Sequence, residues 1–124
     1  MSLGYAQEYA SLSPCLKRQV GCVVTQNGQV ISYGFNHGYE EECSCNHHTQ
    51  NPHVLHAEAM ALSGDSEDYR GATLWVTYQP CMSCAVLILS KKIAKVIYAQ
   101  TSKTPESLHF LDFHGIPCEL LNEE

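Results

Sequence analysis

Two short segments carry residue types that could do metal-dependent chemistry: a His-x-Glu segment at residues 56–58 and a Pro-Cys-x-x-Cys segment at residues 80–84. One imidazole and two thiolates suit Zn²⁺, and three protein ligands leave the fourth tetrahedral position for water. Glu58, which need not bind the metal, could take a proton from that water. The spacing therefore predicts a catalytic zinc site with Glu58 as its catalytic residue and with three metal ligands: His56, Cys81 and Cys84.

Both segments are predicted to open helices, whose N-termini favour negative charge and so help thiols to ionise. Asn-Gly at 27–28, between two β-branched runs, predicts a hairpin. The helix at the N-terminus is expected to present one apolar face of Tyr5, Tyr9 and Leu12. The later strands and helices alternate, which predicts α/β layers with a largely parallel segment after the hairpin. The predicted elements are helices at 4–12, 54–63, 82–91 and 105–113 and strands at 20–25, 29–35, 73–78, 95–99 and 116–121.

The composition favours a small globular protein over several other classes. With 124 residues, of which 44% are hydrophobic, the chain is expected to form a single domain over 1–124. Its net charge of −6 argues against a polynucleotide partner. The N-terminus lacks the pattern of a signal peptide and no apolar run could span a membrane, so we expect a cytoplasmic protein without membrane association. The 7 Cys could form disulfides, but an odd number in a reducing compartment favours metal binding.

With these segments, the chain resembles the cytidine and deoxycytidylate deaminase superfamily over nearly its whole length. The resemblance also includes Val-Gly-Cys-Val-Val at 20–24, Gly-Phe-Asn at 34–36 and Gly-Ala-Thr-Leu-Trp-Val-Thr at 71–77. Within the superfamily the chain is most similar to the deoxycytidylate (dCMP) deaminases. They share a Cys before a basic pair, here Cys15, and a Cys/His-rich loop ahead of His-Ala-Glu.

The resemblance implies a three-layer α/β/α fold around a five-stranded mixed sheet. It also implies a zinc-dependent hydrolase that converts dCMP to dUMP and ammonia in pyrimidine nucleotide metabolism. In that reaction Glu58 would protonate N3 of the base while activated water attacks C4. Asn36 would contact the sugar, and the backbone around Ala57 would contact the base edge. The resemblance suggests a homo-oligomer, often a hexamer.

A phosphate-bearing substrate needs cations near the mouth of the pocket. Lys17, Arg18 and Lys103 are placed for this by their positions between predicted elements, and Arg suits forked phosphate contacts. The alternative for each is a solvated surface charge.

The loop at 36–53 is rich in soft metal ligands. Some dCMP deaminases carry a second, structural zinc here, which would tie the loop to the domain. The alternative is a polar loop whose His side chains are solvated. The predicted ligands of the second zinc are Cys15, Cys45, His48 and His53, with Cys43 or His47 as alternates.

Other readings of the sequence remain open. The residues after Asn36 depart from the Gly/Pro-rich loop of regulated relatives, which argues against activation by Mg²⁺ and dCTP. A tRNA-adenosine deaminase shares both segments, but an acidic chain would hold anionic RNA poorly. A nucleoside deaminase without phosphate preference is also compatible with the pattern. A non-catalytic, zinc-stabilised binding module would not need Glu58.

Overall fold

The computed structural model of the protein describes residues 2–12, 19–38 and 54–121. Five of the strands form one mixed sheet in the order β2-β1-β5-β6-β7, and β3 and β4 form a separate antiparallel pair. The elements in chain order are α1 (Ser2–Ala10), β1 (Gly21–Gln26), β2 (Gln29–Phe35), β3 (His37–Gly38), β4 (Val54–Leu55), α2 (Ala57–Ala61), α3 (Ser66–Tyr69), β5 (Thr73–Val76), α4 (Met82–Ser90), β6 (Lys95–Tyr98), α5 (Glu106–Phe113) and β7 (Cys118–Leu120).

The predicted hairpin is confirmed. Asn27 and Gly28 both have positive φ, 54° and 78°, which is the combination that a two-residue type I′ turn requires. β1 and β2 therefore pair antiparallel from Gln26 opposite Gln29 at the turn to Gly21 opposite Phe35 at the far end. β1 also pairs antiparallel with β5, which places the hairpin beside the parallel half of the sheet.

The parallel segment after the hairpin is also confirmed, since β5, β6 and β7 run in the same direction. α4 connects β5 to β6, and α5 connects β6 to β7. The buried side chains of both helices, Ile88 and Leu111, belong to one core cluster with Leu74 and Val96 of the sheet. α4 and α5 therefore cover the same face of the sheet, where α2 joins them through Ala57.

α1 covers the opposite face, so the protein has the predicted three layers. Strand alternation separates the two cores: Val24 of β1 points toward α2 and α4, whereas Val23 packs against Leu3 and Ala6 of α1. Trp75 of β5 lies on the α1 side and donates a hydrogen bond from Nε1 to Thr25 Oγ1 at 2.9 Å.

The prediction of the apolar face of α1 was right for Tyr9, which packs against the core cluster of Leu3, Ala6 and Val23, and wrong for Tyr5 and Leu12. Tyr5 and Leu12 are 49% and 58% exposed, whereas the small side chains Ala6 and Ala10 are buried. A close approach of backbones explains the difference, because a Cβ on Gly21 would lie only 1.9 Å from the carbonyl oxygen of Ala6. At that separation only small side chains fit between the helix and β1.

The helix predicted over 54–63 is shorter than expected. Residues 54–55 pair with 37–38 as a strand, and α2 begins only after His56, whose backbone is extended at φ −75° and ψ 152°. Pairing with 37–38 thus uses the backbone N–H and C=O groups of residues 54–55, which a longer helix would have needed for its own hydrogen bonds.

The helical turn α3 was not predicted. Its Tyr69 hydroxyl accepts a hydrogen bond from the Gly64 N–H at 2.7 Å.

Among the helices of the described residues, none has the length and apolar character needed to cross a membrane.

The contact between α2 and β2 yields a stability prediction. A Cβ on Gly34 would lie 2.2 Å from the Ala57 carbonyl oxygen and 2.8 Å from the Ala61 nitrogen, both of which are backbone atoms. We expect Gly34→Ala to lower the free energy of unfolding by about 2–3 kcal/mol, because overpacking forces the backbone to shift.

Gly4→Ala is the matched control, since a Cβ at this position of α1 meets nothing within 4 Å. Replacing Gly by Ala within a helix should raise the free energy of unfolding by about 0.5–1 kcal/mol. Denaturant unfolding of both variants measures the two changes. Equal stabilities for the two variants would contradict the close approach at Gly34.

Candidate active site

Two helix N-termini on the same face of the sheet bring the metal-ligand types together. His56 is the N-cap residue of α2, and Cys81 is the N-cap residue of α4. Cys84 lies in the first turn of α4, where the Ala85 N–H donates to the Cys81 carbonyl oxygen at 2.8 Å. The i, i+3 spacing therefore places both thiols on one side of α4, as the sequence predicts.

The side chains of these three residues converge. Their ligand atoms all lie within 4.8 Å of one another. His56 Nδ1 is 3.1 Å from Cys84 Sγ and 3.6 Å from Cys81 Sγ. Zn–S bonds of about 2.3 Å and Zn–N bonds of about 2.0 Å at tetrahedral angles would separate N from S by about 3.5 Å. The donor set and its spacing therefore fit a zinc ion.

The pKa values of the Cys81 and Cys84 thiols are shifted in opposite directions. A hydrogen bond from Cys84 is the largest cause that lowers the pKa of Cys81, to about 3, and His56 and Ser83 add to it. The pKa of Cys84 is raised, first by its hydrogen bond to Cys81 and then by burial. The pKa of His56 is raised, first by its hydrogen bond to Cys81. A bound metal cation would replace these protons, so metal affinity should be linked to proton release.

Glu58 lies in the first turn of α2 and is only 4% exposed. Burial raises its pKa to about 7, although a backbone hydrogen bond, the charge of His56 and a hydrogen bond from Cys84 oppose the shift. A carboxyl group that titrates near neutral pH can both accept and donate a proton. The carboxyl group thus has the chemistry expected of a general acid and base beside the candidate metal site.

Asn36 and Ala57, the predicted sugar and base contacts, are both buried. Asn36 Oδ1 accepts a hydrogen bond from the Val20 N–H at 2.9 Å, and the Asn36 backbone N–H donates to the Val20 carbonyl oxygen at 3.1 Å. The side chain and the backbone of Asn36 therefore both hold the segment that enters β1. The Ala57 carbonyl oxygen lies against Gly34. Their roles toward a substrate stay predictions.

The described residues include one of the predicted cations and none of the predicted ligands of the second metal site. Lys103 is exposed in the loop that follows β6. The other residues of these predictions lie outside the described residues: Cys15, Lys17, Arg18, Cys43, Cys45, His47, His48 and His53.

Gln79 is a buried polar residue for which the sequence predicted no role. It directly precedes Pro80, and both ends of its amide are hydrogen bonded to residues 102–107. Its position directly before the Pro-Cys-x-x-Cys segment was the signal in the sequence that could have indicated a role near the site. The sequence could not show what a side chain would contact more than 20 residues away.

Comparison with known proteins places these observations in a family. The sequence model described as the cytidine and deoxycytidylate deaminase zinc-binding region matches residues 2–100. The deoxycytidylate deaminase of Mycobacterium phage D29 is 34% identical over 118 residues, which cover 81% of this chain and 92% of the phage protein. The deoxycytidylate deaminase of Saccharomyces cerevisiae is 34% identical over 111 residues, which cover 78% of this chain and 36% of the yeast protein.

A solved structure shares the fold. The crystal structure of dCMP deaminase from cyanophage S-TIM5 in complex with dCMP and dUMP superposes with a TM-score of 0.82 at 27% identity. The match covers 96% of this chain and 93% of the cyanophage chain. The chain thus spans about a third of the yeast relative and nearly all of the two phage proteins.

These findings confirm the predicted resemblance to dCMP deaminases, the α/β/α fold and the zinc-binding region. The roles of individual site residues stay predictions. The family model covers both the His-x-Glu and the Pro-Cys-x-x-Cys segments, and it matches most of the sequence. The chain belongs to the cytidine and deoxycytidylate deaminase family.

Proposed function

We propose that the protein is a zinc-dependent enzyme that hydrolyses dCMP to dUMP and ammonia. The observation that carries the proposal is the convergence of His56, Cys81 and Cys84 next to the buried carboxyl group of Glu58. The dCMP deaminases among its relatives, and a similar structure that contains dCMP and dUMP, support this substrate.

The three convergent residues would hold the zinc ion: His56 through Nδ1, and Cys81 and Cys84 through their thiolates. When bound, zinc lowers the pKa of water so that it becomes a nucleophile near neutral pH. Two thiolates and a neutral imidazole offset the charge of the ion, which leaves a weaker Lewis acid than three histidines would. A nearby group must therefore take up the proton that water loses.

Glu58 would move protons between water and the base. Its carboxylate accepts a proton from the attacking water and passes it to N3 of the pyrimidine, while the oxygen adds to C4. The hydroxyl group that is now on C4 loses the second proton, which the same carboxyl group passes to the exocyclic amine. The C4–N bond breaks, ammonia leaves, and the C4 carbonyl of dUMP forms. A pKa of about 7 suits a group that must both accept and donate.

Substrate recognition would come from residues around this site. In this proposal Asn36 contacts the sugar, the backbone around Ala57 contacts the base edge, and Lys103 contacts the phosphate together with Lys17 and Arg18. Lys103 follows the C-terminal end of β6, at the edge of the parallel sheet where α4 and its two cysteines begin. Ligands of α/β proteins bind at this edge of the strands.

A second, structural zinc is part of the proposal for the Cys/His-rich loop. Its ligands would be Cys15, Cys45, His48 and His53, with Cys43 or His47 as alternates. Metal analysis of the wild-type protein should give about two zinc ions per chain. A value of one would contradict the second site.

Further features of the protein stay predictions. These are a single domain over 1–124, a homo-oligomer that could be a hexamer, a cytoplasmic location, a role in pyrimidine nucleotide metabolism and no activation by Mg²⁺ with dCTP.

A substrate panel tests the proposed activity. The purified protein is incubated with cytosine, deoxycytidine, dCMP, dCTP and a tRNA anticodon stem-loop, and ammonia release is measured. We expect the highest kcat/KM with dCMP, because only a monophosphate offers both the base and a single phosphate to Lys103. Preference for the stem-loop would assign the protein to the tRNA-adenosine deaminases, and no turnover of any substrate would support a binding module.

Glu58→Gln tests the proton-transfer role. The substitution keeps the shape of the side chain but removes its ability to accept a proton, so we expect kcat to fall by about 10²–10⁴-fold or more. Zinc content and the unfolding midpoint should stay close to those of the wild type. Glu67→Gln, a change at an exposed ion-paired residue, is the matched control and should keep full activity. Substantial turnover in Glu58→Gln would contradict the role.

Cys84→Ala tests the metal ligands. We expect this variant to contain one zinc ion fewer per chain than the wild type, since a buried thiolate ligand is lost. Cys118→Ala removes a thiol of the same type from β7 and should leave zinc content unchanged. Elemental analysis after dialysis measures both. Equal zinc content in the two variants would rule out Cys84 as a ligand.

A further inference from the structure

The side-chain amide of Gln79 connects two parts of the chain. One is the segment at residues 79–84, which contains Cys81 and Cys84 and which we name the metal-site segment, and the other is the loop after β6. Gln79 is 5% exposed. Its Oε1 accepts a hydrogen bond from the Ser102 N–H at 3.1 Å, and its Nε2 donates to the Thr104 carbonyl oxygen at 2.7 Å and to Ser107 Oγ at 3.1 Å. One acceptor and two donors of the same side chain are therefore used at once. Neither an acid nor an apolar residue of similar size could make all three bonds.

The same hydrogen-bond network also includes the backbone of the two residues that precede Cys81. Ser107 Oγ donates to the Pro80 carbonyl oxygen at 2.6 Å, and the Gln79 N–H donates to the Gln100 carbonyl oxygen at 2.8 Å. The residues just before Cys81 are thus held against both ends of the 100–107 segment. A buried, fully satisfied network of this kind rigidifies the groups that it joins.

In the loop after β6, the network includes a compact turn that has Lys103 at its centre. Ser102 Oγ donates to the Thr104 carbonyl oxygen at 2.9 Å and accepts from the Thr104 N–H at 3.2 Å, which encloses the exposed Lys103 between two bonded residues. We name residues 102–104 the Lys103 turn. Gln79 bonds to the first and third residues of this turn and so connects both of them to the metal-site segment.

We propose that Gln79 is a positioning residue that holds the Lys103 turn at a fixed distance from the metal site and so sets the preference for a nucleotide over a nucleoside. The proposal rests on the proposed function, because it assigns Lys103 to the substrate phosphate. Lys carries a flexible stem, so its contact with a phosphate is specific only where its backbone is held in place. Gln79 acts through Lys103 and touches no substrate.

Gln79→Met tests the proposal, since Met keeps the length of the side chain and removes its hydrogen bonds. We expect the KM for dCMP to rise about tenfold, which corresponds to about 1.4 kcal/mol. The kcat, the zinc content and the kcat/KM for deoxycytidine should stay within about twofold. Gln100→Met is the matched control, because the Gln100 side chain is exposed and only its backbone joins the network.

A double-mutant cycle shows whether Gln79 acts through Lys103. We expect Lys103→Met to raise the KM for dCMP about tenfold in the wild type but by less than about twofold when Gln79→Met is already present. Additive effects would overturn the proposal. It would also be overturned if Gln79→Met weakened dCMP and deoxycytidine equally, as a general loss of structure would.

Amide hydrogen exchange provides a readout that does not depend on activity. The Ser102 N–H should exchange at least about tenfold faster in Gln79→Met, and unchanged protection would overturn the proposal. If that variant does not fold, Ser107→Ala removes one link of the same network and should shift KM in the same direction. A wild-type protein that does not turn over dCMP would overturn the proposed function, whereas the exchange result still decides whether Gln79 anchors the turn.

Discussion

The candidate site depends on how closely the backbone of α2 approaches the sheet. At Gly34 of β2 a Cβ would lie 2.2 Å from the Ala57 carbonyl oxygen, so any side chain there would push α2 outward. Ala57 stands between His56 and Glu58, and the same displacement would move both of them. α4, by contrast, follows β5 in the parallel half of the sheet, so the two parts of the site are attached to different strands. The distance of 3.1 Å between His56 Nδ1 and Cys84 Sγ therefore depends on the contact between α2 and β2.

A cation would stabilise the ionised forms of the groups in this site. Glu58, Cys81 and Cys84 become anions when they lose a proton, and among the converging groups only His56 can become a cation. Burial raises the pKa of Glu58 and contributes to the raised pKa of Cys84, because the charged form loses its hydration. A divalent cation bound by the thiolates would offset this cost. The zinc ion that the donor set fits would thus also stabilise the buried groups around it.

Local chemistry explains which parts of the fold could be predicted. The turn at Asn27 and Gly28 was predictable because both residues tolerate positive φ, which depends on nothing outside the hairpin. The face of α1 was predictable only at Tyr9, because the close approach of Gly21 to the helix backbone favours the small side chains Ala6 and Ala10 over Tyr5. The helix predicted over 54–63 was too long for a similar reason, since 54–55 pair with strand residues far from them in sequence.

The sequence by itself determined the types of the donor atoms, the spacing of the two cysteines on a helical turn and the position of Glu58 two residues after His56. These features depend on covalent connectivity and on the period of a helix. Only the tertiary structure decided that His56 meets Cys81 from 25 positions away in the sequence, that Glu58 is buried and that Gln79 joins two segments of the chain. Such contacts depend on packing between distant elements, and residue spacing along the chain does not specify how closely two backbones approach.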